Sequence, residues 1–204
     1  MRRALIEEIL QRHLIWQPHN DIKNTAGLES PRMALKDLET AIRSDVLREL
    51  LQHWRDAKGS RRMPGWSDLN PALIKPVLPL IWSWKYDRAD DRFTGRLVGD
   101  RIHKLYGASN AGRTLEDCFP KGYYAAIAPV FRRIVTTPEF LREHGPIYAH
   151  LGGACDGERI ALPLAEDGEH ADGIIGASYF VLEGPLIREG TTLTTTTEEW
   201  FALD

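Results

Sequence analysis

The hydrophobic period of this chain changes along its length, and the order of those changes restricts the fold more than any single motif does. From Leu5 to Trp16, the apolar residues Leu5, Ile6, Ile9, Leu10 and Leu14 recur at helical spacing until Pro18 ends the run. Ser30-Pro31 then offers an N-cap and a pre-set first turn. A second stripe follows, Met33, Leu35, Leu38, Ile42, Val46, Leu50 and Trp54, which predicts one long helix or two broken near Ser44, ending at Gly59. Four prolines and Gly65 in RRMPGWSDLNPALIKPVLP exclude regular structure over most of that stretch and predict an extended connector.

Past Pro76 the period falls to two. In LPLIWSWKY, Leu80, Trp82, Trp84 and Tyr86 share one face of a strand. After the polar DRADD, the stretch RFTGRLVG sets Phe93, Gly95 and Leu97 against Thr94, Arg96 and Val98, so the two runs predict a hairpin. Asp100 to about Phe140 is helical in pieces; Tyr124, Ile127, Phe131 and Ile134 mark the longest helix, and Pro129 is expected to kink it. The last third predicts three strands, GPIYAHLGGAC, ERIALPLAE and GIIGASYFVL, turning at Asp156-Gly157 and Asp167-Gly168. The tail, with six Thr between Thr191 and Thr197, is either an edge strand or a mobile end. A hairpin and a three-strand meander separated by helices close as one antiparallel five-stranded sheet with helices on one face, an α+β fold without parallel crossovers. The expected division is an N-terminal helical extension (1–58), a proline-rich connector (59–76), the sheet domain (77–184) and a C-terminal tail (185–204).

Composition narrows the function classes. The 204 residues carry a formal charge of −3, which leaves no bulk basic field to hold a phosphate backbone, so nucleic acid is not an expected partner. No run approaches the roughly 18 apolar residues of a membrane span, and Glu7, Glu8 and Arg12 interrupt the only N-terminal stretch resembling a leader. Two cysteines, Cys118 and Cys155, make no disulfide framework and no C-x-x-C pair. A soluble cytoplasmic protein is the expectation.

Three stretches carry a family resemblance: LLQHWRDAKGSRRMPGWSDLNPALIKPVLP, then FTGRLVGDRIHKLYG with AGRTLEDCFP, then IALPLAEDG and IIGAS. Together with the element order they resemble the PAS domain, in the form found in a group of mostly alphaproteobacterial PAS-like proteins without an assigned biochemical activity. The similarity covers roughly residues 46 to 182. It implies a sheet in the order 2-1-5-4-3 with a pocket or packed core between sheet and helices. The chain departs from the pattern at Pro129 and in the helices before Ser44.

No nucleophile elbow, phosphate loop, dinucleotide fingerprint, zincin helix or deaminase signature is present. GGACDG belongs to a predicted strand and turn, not to a phosphate cradle. His144 and His150 lack the carboxylate or thiolate company of a metal site. Arg55, Lys58, Arg61 and Arg62 suit a helix C-terminus. Trp82 and Trp84 could stack on a flat ligand, but a stripe of large aromatics on a strand is first of all packing. The resemblance places His103 on the first helix after the hairpin, where a lone imidazole would be an axial haem ligand or a half-buried helix residue; the absence of any motif around it predicts no haem, and no cofactor is assigned. The residues expected to line the space between sheet and helices are Leu97, Tyr106, Phe119, Tyr124, Ile127, Phe131, Ile160, Leu162 and Tyr179, with the hydroxyls of Tyr106, Tyr124 and Tyr179 available to orient a ligand. The expected function is a non-enzymatic sensory or adaptor protein of bacterial signalling, acting by small-ligand binding or through an unidentified protein partner. The rivals are a small enzyme with an unrecognised site and a structural interaction domain. A homodimer through the N-terminal helices is expected, since Leu5 to Leu14 otherwise need cover from the chain's own sheet.

Overall fold

The structure is a computed structural model that describes residues 34–119, 121–148, 155–182 and 196–203. The expected first helix, residues 5–16, lies outside the described residues, as do His150, residues 152–154 of GGACDG and residues 191–195 of the tail. Helices α1 (Leu35–Ala41) and α2 (Asp45–Lys58) break at Ile42–Ser44 and end at Gly59, whose φ of +55° suits the stop. Three 3-10 turns carry the connector to the hairpin β1 (Ile81–Asp87) and β2 (Arg92–Val98). Helices α3 (Asp100–Tyr106), α4 (Leu115–Cys118) and α5 (Lys121–Thr136) follow, then β3 (Glu139–Gly145), β4 (Cys155–Leu164), β5 (Gly173–Leu182) and β6 (Thr197–Ala202).

The sheet is antiparallel, in the order β2-β1-β5-β4-β3-β6. The five-strand order is the expected one, and the tail adds a sixth strand beside β3. The third strand begins earlier in sequence than predicted. Glu139–Gly145, not GPIYAHLGGAC, pairs with β4, and Asp156-Gly157 lies within β4 instead of turning the chain. The turn between β4 and β5 does contain Asp167-Gly168, with Gly168 at φ +83°. Helix α5 runs on through Pro129. Pro129 and Ala125 are both on the exposed side of the helix, where solvent can serve the carbonyl that the proline cannot.

Register divides the sheet into two covered faces. Trp82, Trp84, Phe93, Ile174, Gly176, Ser178, Phe180 and Arg159 lie on the inner face, toward α3 to α5. Phe140, Ile160, Leu162, Ile175, Ala177 and Phe201 lie on the outer face, toward α1 and α2. On those two helices and the Ile42 between them, Leu38, Ile42, Leu47, Leu50, Leu51 and Trp54 are all fully buried. Trp54 packs edge-on against Phe140 and donates its Nε1–H to the Pro163 carbonyl at 2.8 Å. Burying each such side chain contributes about 1.5–3 kcal/mol, so these helices share the sheet's core. The stripe Leu35, Leu38, Ile42 and Val46 is thus packed on the chain's own sheet.

A buried ion network fixes that docking. Glu158 on β4 accepts the backbone N–H groups of Arg43 and Ser44, at 3.0 and 2.8 Å, where α1 passes into α2. Arg142 on β3 donates its Nε–H to Glu158 at 2.6 Å and pairs through Nη1 with Glu199 on β6. One carboxylate therefore holds the helix junction, and one guanidinium ties the added edge strand to it.

Candidate functional site

The inner compartment lies between the sheet and helices α3 to α5. Its apolar half is an aromatic stack. Trp82 lies parallel to Phe131 at 5.7 Å between ring centroids, Trp84 touches Phe119 and Phe131, and Phe93 meets Phe131 edge-on. Gly176 on β5 makes this possible, because a Cβ there would sit 2.2 Å from the Trp82 ring. Gly95 on β2 plays a similar part, letting the Asn110 carbonyl of the next loop cross where a Cβ would be 2.1 Å away.

The polar half centres on Arg159, at mid-β4. Its Nε–H donates to Ser178 Oγ at 3.1 Å, its Nη1 to Glu143 at 3.1 Å and its Nη2 to the Ile147 carbonyl at 3.2 Å. The guanidinium also lies 4.9 Å over the Tyr148 ring. The Trp82 indole donates to the same Ser178 oxygen at 3.1 Å, linking the aromatic and polar halves. Tyr106 and Tyr123 close the group from α3 and α5 and hydrogen-bond each other. Burial pushes the Tyr106 hydroxyl well above the usual phenol range and Tyr123 up as well, so both keep their protons at neutral pH. Burial opposes the charge of Arg159, but neighbouring Glu143 and the ring oxygens outweigh it and the guanidinium stays protonated. Among the described residues no group of three or more His, Cys, Asp or Glu is arranged to hold a metal ion.

Of the residues expected to line this space, Tyr106, Phe119 and Phe131 do so, and Ile127 packs against the same core. Tyr124 packs there too, but its hydroxyl bonds Glu116 and Arg132. The inner stripe of α5 runs instead through Tyr123, Ile127 and Phe131, four residues apart, and one helical step of about 100° turns Tyr124 aside. Ile160 and Leu162 are fully buried on the opposite face, beneath α1 and α2. Tyr179 shares that face and is 38% exposed. Leu97, 36% exposed, is also on the outer side, because a bulge between Ser83 and Trp84 pairs it with Ser83. His103 is exposed on α3.

Arg159, Ser178, Glu143, Tyr123, Tyr148 and Phe180 were not anticipated. Period-two counting from Arg159 would have put it opposite Ile160 and Leu162, and only the assumption that the apolar set faces inward hid it. Elsewhere, burial pushes the Cys118 thiol up, against a nucleophilic role. Arg55 pairs with Glu39, Lys58 donates to the Arg61 carbonyl and Arg61 pairs with Asp68, so these cations close the α2 terminus.

A single antiparallel sheet in this order, with short helices over a mixed aromatic and polar compartment, defines a small α+β domain. The family model described as PAS domain matches residues 42–179, and the chain belongs to that family of signalling domains. No curated protein and no solved structure matches it. The match begins at Ile42, between α1 and α2, and ends within β5, so it takes in α2, the connector and strands β1 to β5 but not the added strand β6. No described helix is long and apolar enough to cross a membrane.

Proposed function

We propose that the chain is a non-enzymatic sensory or adaptor domain that binds a small ligand in the inner compartment and reports its state to a partner protein. The carrying observation is Arg159, a charged side chain only 11% exposed, set among Ser178, Glu143 and three tyrosines. Desolvating a guanidinium is costly, and a packed hydrophobic replacement is often as stable, so stability alone is a poor reason to keep it there. A change at Arg159 has a path outward: β4 also carries Glu158, which holds the α1–α2 junction on the other face. The cytoplasm is the proposed location. Homodimerisation is kept as part of the proposal, now through residues 5–14 alone.

The second reading is an interaction domain with a filled core, favoured by the close aromatic stack of Trp82, Phe131 and Phe119. Native mass spectrometry of freshly purified chain, set against its denatured mass, separates the two. A stoichiometric non-covalent mass increment is expected; identical masses from gentle preparations would favour the filled core.

A further inference from the structure

We propose that β6 is a proton-linked latch on the sheet: its pairing with β3 tightens when the facing carboxylates Glu143 and Glu198 hold a proton between them, and slackens when both are charged. The register sets them against each other. Arg159, Glu143 and Glu198 stand directly opposite one another on β4, β3 and β6, a charged row across the inner face. Side chains opposed in this way have Cβ atoms only about 4.5–5.5 Å apart, where opposite charges attract and like charges weaken the pairing. The β4–β3 step of the row joins a cation to an anion at 3.1 Å. The β3–β6 step sets one anion against another.

The surroundings leave that second step uncompensated. Arg159 bonds Glu143, and Arg133 on α5 is engaged by Glu139 at 2.5 Å while lying 3.8 Å over the Trp200 ring. Among the described residues no cation forms an ion pair with Glu198, whose side chain is bonded by Trp200 instead. Tyr123 on α5 and Tyr148 face Arg159 and Glu143 from above, and both are neutral phenols in ordinary conditions. Arg142 and His144 alternate with Glu143 along β3 and so belong to the other face.

The direction of the proton linkage follows. Glu198 is an exposed residue of the edge strand, so protons reach it freely. Detached from β3 it is an ordinary solvated glutamate. In the docked strand, partial desolvation and then the facing Glu143 push its carboxyl up, against the bond from Trp200 and the charge of Arg133. The docked form therefore holds the proton more tightly. Its gain is complete below the ordinary glutamate value of about 4.3 and is lost as pH rises through the raised one.

Strand β6 lies beyond the family match, which ends at residue 179, and it is held unevenly. On the outer face Phe201 is buried and Arg142 pairs with Glu199. On the inner face the strand meets repulsion. Glu143 is also the partner of Arg159, so drawing that guanidinium away leaves Glu143 facing Glu198 without neutralisation. The charge state of the inner compartment is thereby passed to the last strand, and the latch needs no ligand to operate.

Hydrogen–deuterium exchange of the full-length chain, followed by mass spectrometry, tests this. Protection factors divide out the pH dependence of the exchange chemistry, and the ratio of β6 peptides to β4 peptides removes any change in global stability. Between about pH 7.5 and about pH 4.5 the parent ratio is expected to rise about two- to fivefold. Glu198→Gln, which keeps the shape without the charge, should flatten that rise and match or exceed the parent at the higher pH. Glu198→Lys places a cation opposite Glu143 and should reverse the trend, with tighter pairing at the higher pH. A parent ratio that is flat or falls toward acid, or a Glu198→Gln variant that keeps the parental rise, would overturn the latch.

Discussion

Glu158→Ala is expected to lower the unfolding free energy by about 3 kcal/mol, near the lower end of what breaking a buried ion pair costs. Arg142 and Glu158 have side chains only 3% and 7% exposed, so the guanidinium left behind stays out of water with Glu199 as its remaining charge partner. The backbone N–H groups of Arg43 and Ser44 lose their acceptor in the same step. For a chain of this size the loss corresponds to a fall in melting temperature of roughly 6–12 °C. Glu158→Gln keeps an acceptor oxygen and should fall between the alanine variant and the parent. Chemical denaturation followed by circular dichroism decides the matter. An alanine variant within about 1 kcal/mol of the parent, the size of an ordinary neutral hydrogen bond, would mean that this network does not hold the α1–α2 junction on the sheet.

Gly176→Ala is expected to cost about 2 kcal/mol, although it adds a single methyl group to a strand that accepts alanine without backbone strain. The added Cβ would lie 2.2 Å from Cζ2 and 2.5 Å from Cη2 of Trp82. That indole cannot swing away freely. Phe131 lies flat against it, and its Nε1–H is bonded to Ser178. The substitution therefore acts on the compartment as well as on stability: the Trp82 indole N–H signal should move and its protection from solvent exchange should drop. A variant with parental stability and an unmoved Trp82 signal would show that the ring has slack beside β5.

The parts of this fold legible in the sequence are those where one side chain pattern has one explanation. Trp82, Trp84 and Tyr86 alternate over a strand bounded by proline and a polar turn, and both the hairpin and its inner face follow. The α1–α2 break near Ser44 was only one of two alternatives in the sequence, because the stripe Leu38, Ile42, Val46, Leu50 and Trp54 keeps a step of four through it. The misplacements have a common cause in burial on both sides of the sheet. Ile160 and Leu162 are apolar because α1 and α2 cover them, so their hydrophobicity does not distinguish the inner face from the outer. Strand β3 was concealed because FLREH shows no apolar alternation; its outer-face residue Arg142 is buried by pairing with Glu158, an arrangement that hydropathy counts as surface. Arg159 was hidden by the assumption that its neighbours Ile160 and Leu162 face inward. Leu97 was assigned to the wrong face by one bulge residue, since a shift of one reverses every side chain after it.

The most direct measurement of the central claim is a crystal structure of the chain as purified, examined around Arg159. Electron density for a small non-protein molecule within hydrogen-bonding distance of the Arg159 guanidinium and the Ser178 hydroxyl is the predicted result. Continuous side-chain packing between Arg159 and the tyrosines of α3 and α5, with no volume for a ligand, would contradict it.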